Sequence, residues 1–128
     1  MQDPGAVVQD WQEAANAQRI DRLLDLSDPD IEVAGPRGSG YGHQLLRDWI
    51  ARAGLTLKTL RMFVRGNTVV VEQHGTWRAL DTGEITGETT LASVFHVVDG
   101  RVVRFARYDD LTMALGACGL SQLDEVAR

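Results

Sequence analysis

A chain of 128 residues, 44% apolar and 24% charged, holds enough material for one hydrophobic core and too little for two, which predicts a single soluble domain over residues 1–128. A net charge of −5, with Lys58 the one lysine among scattered arginines, argues against nucleic acid and anionic membrane as partners, because both select a basic face. No apolar run approaches the ~20 residues of a membrane span. The start, MQDPGAVVQDW, lacks the basic and apolar regions of a secretory signal, and a lone cysteine, Cys118, cannot close an internal disulfide. The expectation is a cytoplasmic protein.

Residues 7–17 read as a helix, with Val7, Val8, Trp11, Ala14 and Ala15 at helical spacing. A second, shorter helix spans 20–26 through Ile20, Leu23, Leu24 and Leu26. Ser27-Asp28-Pro29-Asp30 has turn composition, and residues 31–33 make a short strand ended by Gly35-Pro36. The glycine-rich stretch 37–42 reads as a mobile connection, because it lacks the lysine and Ser/Thr of a phosphate loop. A third helix, 42–53, turns Leu45, Leu46, Trp49 and Ile50 inward and ends at Gly54.

Alternation then takes over. Strands are expected at 57–64, 68–80, 89–97 and 101–108, with turns at Gly66-Asn67 and Asp81-Thr82-Gly83. Residues 111–117 form a closing helix and 121–128 a frayed tail. Helices followed by a twisted meander predict an α+β domain whose curved antiparallel sheet wraps three helices.

The closing hairpin, SVFHVVDGRVVRFARYDD at 93–110, decides which side chains face that interior. A two-residue Asp-Gly loop would put Phe95 opposite Arg104. A three-residue loop closed by Gly100 pairs Val97 with Arg101 instead. The second register gathers Leu91, Ser93, Phe95 and Val97 with Val103, Phe105, Arg107 and Asp109 on one face. It leaves Val94, His96, Val102, Arg104 and Ala106 on the other. The three-residue register is preferred because it collects the apolar residues, and it turns Ser93, Arg107 and Asp109 into an apolar face.

Three segments carry a family likeness: VVQDWQEAANAQRIDRLLDLSDPDIEVAGP, YGHQLLRDWI and VFHVVDGRVVRFARYDD. In this order they resemble the nuclear transport factor 2-like superfamily, with its SnoaL-like polyketide cyclases, ketosteroid isomerases and limonene-epoxide hydrolases. The resemblance implies a cystatin-like, cone-shaped sheet around three helices, a pocket inside the cone, and a homodimer through the convex sheet face. It does not imply the two best-known activities. The isomerase's carboxylate base falls on Gly35, its oxyanion tyrosine on Trp11 and its oxyanion carboxyl on Ser93. In the epoxide hydrolase, the Arg-x-Asp strand reads Gln73-His74-Gly75 here, and the second aspartate is replaced by Arg107 before Tyr108.

The residues expected inside the cone are Trp11, Trp49, Val71, Gln73, Gly75, Trp77, Ser93, Phe95, Phe105, Arg107 and Asp109. A concave apolar cavity with a few convergent polar groups suits a small molecule, so the leading reading is a binder of a small apolar molecule with a polar or anionic end. Arg107 and Gln73 would hold its carboxylate or enol oxygen. An enzyme with a rearranged set is the alternative, with Asp109 as base and Arg107 with Tyr41 or Ser93 at the oxyanion. A third reading is an interaction module whose tryptophans fill the cone, and in a fourth Arg107 and Asp109 simply neutralise each other. No cofactor or metal is expected, since His74 and His96 lack ligand spacing. His43 reads as solvated or, alternatively, as an acid or base at the pocket mouth, and Cys118 as inert core.

Overall fold

The computed structural model describes residues 3–35 and 38–126. Residues 1–2, Pro36 and Arg37 of the glycine-rich stretch, and residues 127–128 of the tail lie outside the described residues. The order is α1 (Pro4–Asn16), α2 (Ile20–Asp25), β1 (Ser27–Gly35), β2 (Gly38–Tyr41), α3 (His43–Ala53), β3 (Leu55–Arg65), β4 (Thr68–Arg78), β5 (Ile85–Val98), β6 (Arg101–Tyr108), α4 (Leu111–Cys118), a 3-10 turn (Gln122–Asp124) and β7 (Glu125–Val126). The strands form one mixed sheet in the order β2-β1-β6-β5-β4-β3-β7. Every neighbouring pair is antiparallel except β1 with β6, which run parallel. No helix among the described residues is long and apolar enough to cross a membrane.

Local chemistry sets the elements. The Asp3 carboxylate accepts from the Ala6 amide and Pro4 opens the first turn of α1, a favourable start for a helix. The apolar stripe of α1 then lands on the inner face of the sheet. Val7, Val8 and Trp11 pack there with Leu23 of α2, Leu46 and Ile50 of α3, and Val69, Val71, Phe95, Val97, Val102 and Phe105 of the strands.

Four expectations needed correction. The Asp28-Pro29 stretch is strand, because β1 extends back to Ser27 to pair with Val102. Residues 38–41 form strand β2 against β1, with Glu32 opposite Tyr41. The closing helix forms as expected, and α4 places Leu111, Ala114 and Leu115 on Phe63, Val70, Ala92 and Val94 of the outer face, forming a second core. The tail is docked, with Glu125 and Val126 paired to Phe63 and Met62 and ion pairs joining Arg61 to Glu125 and Arg65 to Asp124.

The fourth correction concerns the hairpin. Asp99 and Gly100 both have positive φ, 52° and 78°, so the loop is the two-residue kind that matches strand twist. Val98 pairs with Arg101 and Val97 with Val102, then the register slips by one so that His96 faces Arg104 and Phe95 faces Phe105. The slip is a bulge at Val103, one extra residue on β6. The two-residue loop turns Val102 into the inner core, opposite to expectation, and the bulge still brings Arg107 to the face of Phe95.

Candidate functional site

Two polar systems lie on the inner face, and they behave differently. The first is a closed chain. Ser93 Oγ donates to Gln73 Oε1 at 2.7 Å, and Gln73 Nε2 donates to Gln12 Oε1. Gln12 Nε2 in turn donates to Thr59 Oγ1 at 2.7 Å. Gln73 and Ser93 are fully buried, and no buried side-chain polar atom among the described residues lacks a hydrogen-bond partner. Groups satisfied this way hold the core together and have no remaining need for a ligand.

The second system is open. Arg107 lies at the rim of a cavity of about 380 Å³. The cavity is walled by Val33 of β1, Gly38 and Gly40 of β2, Leu45 and Trp49 of α3, and Phe105 of β6. The Trp49 and Phe105 rings stand 5.6 Å apart. The Arg107 guanidinium lies 5.9 Å from the centre of the Trp77 ring. Among the described residues no carboxylate lies within ion-pair distance of it. The bulge explains the contrast with Arg104. That residue points to the outer face and pairs with Glu32 at 3.1 Å.

The expected site residues therefore divide. Trp49, Phe105 and Arg107 line the cavity, with Trp77 against Arg107. Trp11 and Phe95 are fully buried beneath it, with Trp11 edge-on to Phe95 at 5.3 Å and tilted against Phe105 at 5.1 Å. The Trp11 indole donates to Ser27 Oγ at 2.9 Å, so its polar end is spent inside the core. Gln73 and Ser93 belong to the closed chain. Asp109 is exposed and, with Tyr108 and Met113, lines an adjoining depression of about 350 Å³ that shares Arg107 with the cavity. Tyr41 is 66% exposed and sits beyond the cavity wall. Asp109, Tyr41 and Ser93 do not converge.

The histidines are engaged elsewhere. His43 Nε2 lies 3.0 Å from the Ser27 carbonyl. His74 contacts Glu88. His96 lies beside Thr68 on the outer face, where burial, and then the Arg104 charge, hold its pKa below the ordinary value. Burial pushes the Cys118 thiol up. No cluster of His, Cys, Asp and Glu suited to a metal occurs among the described residues.

Sequence reasoning missed the β2 wall and Val33. Glycine composition concealed β2. The available signal was Ile31-x-Val33, a half-buried strand that needed a partner on its open edge.

The sequence profile of the SnoaL-like domain family matches residues 8–105. The chain belongs to the SnoaL-like domain family. Solved structures share the fold of this SnoaL-like domain. A nuclear transport factor 2-like protein of unknown function from Cytophaga hutchinsonii has a TM-score of 0.73 at 15% identity, over 86% of this chain and 92% of its own. A candidate polyketide cyclase from Sinorhizobium meliloti gives 0.67 at 24% identity, over 80% and 93%. TerC, co-crystallised with polyporic acid, gives 0.72 at 19% identity, over 89% and 95%. No curated protein matches this chain significantly.

Proposed function

We propose that this SnoaL-like domain binds a small apolar molecule with an anionic or enol oxygen in the cavity at the mouth of the cone. The supporting observation is Arg107, a half-buried cation without an ion-pair partner among the described residues, on the rim of a cavity walled by Val33, Leu45, Trp49 and Phe105. An unpaired guanidinium beside apolar walls is poorly solvated and gains from a carboxylate or enolate that can accept two parallel N–H bonds. The volume, about 380 Å³, falls in the ~300–1,000 Å³ range of small-molecule sites. Gln73, assigned a share of the ligand from sequence, is left out of the site because its amide is already occupied.

The co-crystal of TerC with polyporic acid supports the placement of a small molecule in this fold. The polyketide cyclase likeness keeps catalysis as a second reading. It would need a base other than Asp109, which lines the adjoining depression and not the cavity.

Tryptophan fluorescence tests the proposal. Aromatic carboxylates and hydrophobic enols should quench Trp49 and raise the melting temperature, and Arg107→Ala should weaken both responses about tenfold in concentration, as losing a charge-assisted hydrogen bond predicts. A library that moves neither signal removes the reading. The homodimer is part of the same proposal, through the outer-face area that α4 leaves open around Lys58 and Thr90. A monomeric mass by light scattering would remove that part.

A further inference from the structure

Trp77 does not line the cavity, yet its ring faces Arg107, the one cation among the described residues that does. On backbone register alone the two residues are far apart. Arg107 pairs with Ser93 and Ser93 with Val71, whereas Trp77 lies six positions further along β4, opposite Gly87. At ~3.3 Å per residue that offset is on the order of 20 Å along the strand. Two features close it. The sheet curves, and the indole folds back along its own strand over Gly75. A methyl group added at Gly75 would stand 3.4 Å from ring atoms Cη2 and Cζ3 of Trp77 and 3.0 Å from Leu91 Cδ2. Glycine in the middle of a strand weakens it, so its presence calls for a packing reason. Here the reason is the floor on which the Trp77 ring lies.

We infer that Trp77, seated over Gly75, is a positioning residue for Arg107 and sets the preference of the mouth cavity for anions. The inference rests on the binding reading above and adds the residue that makes it selective. The ring face attracts the guanidinium and restricts its arc. A freely rotating arginine would spread its charge into solvent and lose rotamer entropy on every binding event. Arg107 also borders the adjoining depression with Asp109, so without the ring an acidic alternative lies within its range.

Two probes of one skeleton separate the contributions: 1-anilinonaphthalene-8-sulfonate, an anion, and N-phenyl-1-naphthylamine, which lacks the sulfonate. Their affinities are measured for the wild type, Arg107→Ala, Trp77→Leu, Trp77→Phe and the double variant Trp77→Leu/Arg107→Ala. Trp77→Leu should weaken the sulfonate roughly three- to fivefold, the range of a partly desolvated cation–π contact, and leave the amine unchanged. Trp77→Phe should restore about half of the loss. In the Arg107→Ala background Trp77→Leu should have no further effect on either probe. Gly75→Val, which fills the floor, should reproduce the selective loss.

An equal loss for both probes on Trp77→Leu, or the same loss in the Arg107→Ala background, overturns the inference and leaves the binding reading intact. If Arg107→Ala leaves the sulfonate affinity unchanged, the binding reading itself fails. Should Gly75→Val not fold, Trp77→Phe and Trp77→Leu decide the matter alone.

Discussion

Phe95 and Phe105 stand directly opposite each other across β5 and β6, their ring centroids 5.1 Å apart. The pairing depends on Val103. With the two-residue Asp99-Gly100 loop and no bulge, Phe95 would face Arg104, and the arginine would enter the core. One extra residue on β6 restores the apolar face and carries Arg107 to the cavity with it.

Trp11 wedges against both phenylalanines and is fully buried. Trp11→Ala should cost about 3–5 kcal/mol, the usual range for deleting a buried aromatic. Trp11→Phe should cost less, and Ser27 Oγ would keep its own donation to the Leu23 carbonyl. Urea denaturation measures both. A loss under ~1 kcal/mol for the alanine variant would contradict a core role.

The closed chain predicts non-additivity. Gln73→Leu leaves the Ser93 hydroxyl and the Gln12 carbonyl oxygen without their shown partner, at about 1–3 kcal/mol for each buried group stranded. Adding Ser93→Ala to Gln73→Leu should recover part of that loss, because the stranded hydroxyl is then gone. Strictly additive costs in a denaturant double-mutant cycle would show that the groups act separately.

Arg104 and Arg107 provide a controlled contrast. Arg104→Ala breaks a partly exposed pair with Glu32 and should cost no more than about 1 kcal/mol after solvent screening. It should leave binding of the aromatic sulfonate unchanged, whereas Arg107→Ala should weaken it. Titrations of the two variants side by side check this, and equal losses would place the anion elsewhere.

His96 makes stability depend on pH. Its folded pKa lies below the ordinary 6.5, through burial first and the Arg104 charge second. Between the folded and unfolded pKa values the unfolded chain binds more protons, so stability rises with pH in that window. The contribution is fully present above about 6.5 and fades as pH falls toward the folded value. His96→Gln should flatten the fall in melting temperature on acidification below pH 6.5. A variant whose profile matches the wild type would exclude His96 as the group responsible.

The docked tail predicts an effect on association. Asn16 satisfies both backbone groups of Leu57 on the β3 edge, and β7 pairs with Met62 and Phe63 further along it. Ending the chain at Leu120 uncovers that second stretch, and an open edge next to apolar residues invites strand pairing. Gel filtration should show concentration-dependent association absent from the full chain. Identical elution profiles would mean that the remaining edge protects itself.

Read alone, the sequence determined the helices, most strand positions and the inward stripes of α1 and α3, because the periods of 3.6 and 2.0 residues follow from backbone geometry and leave a direct trace in the spacing of apolar residues. It also placed Phe95, Phe105 and Arg107 on one face, although through a loop of the wrong length. Only tertiary structure decided the rest. Bulges carry no composition signal, β2 is hidden by its glycines, and whether a polar side chain is satisfied depends on partners far along the chain. Gln73 and Arg107 look alike in sequence, as polar residues turned toward an apolar face. They part because Gln12 and Ser93 reach Gln73 from other elements, while Arg107 meets the face of an aromatic ring, a contact that does not use its N–H groups as hydrogen-bond donors to another side chain.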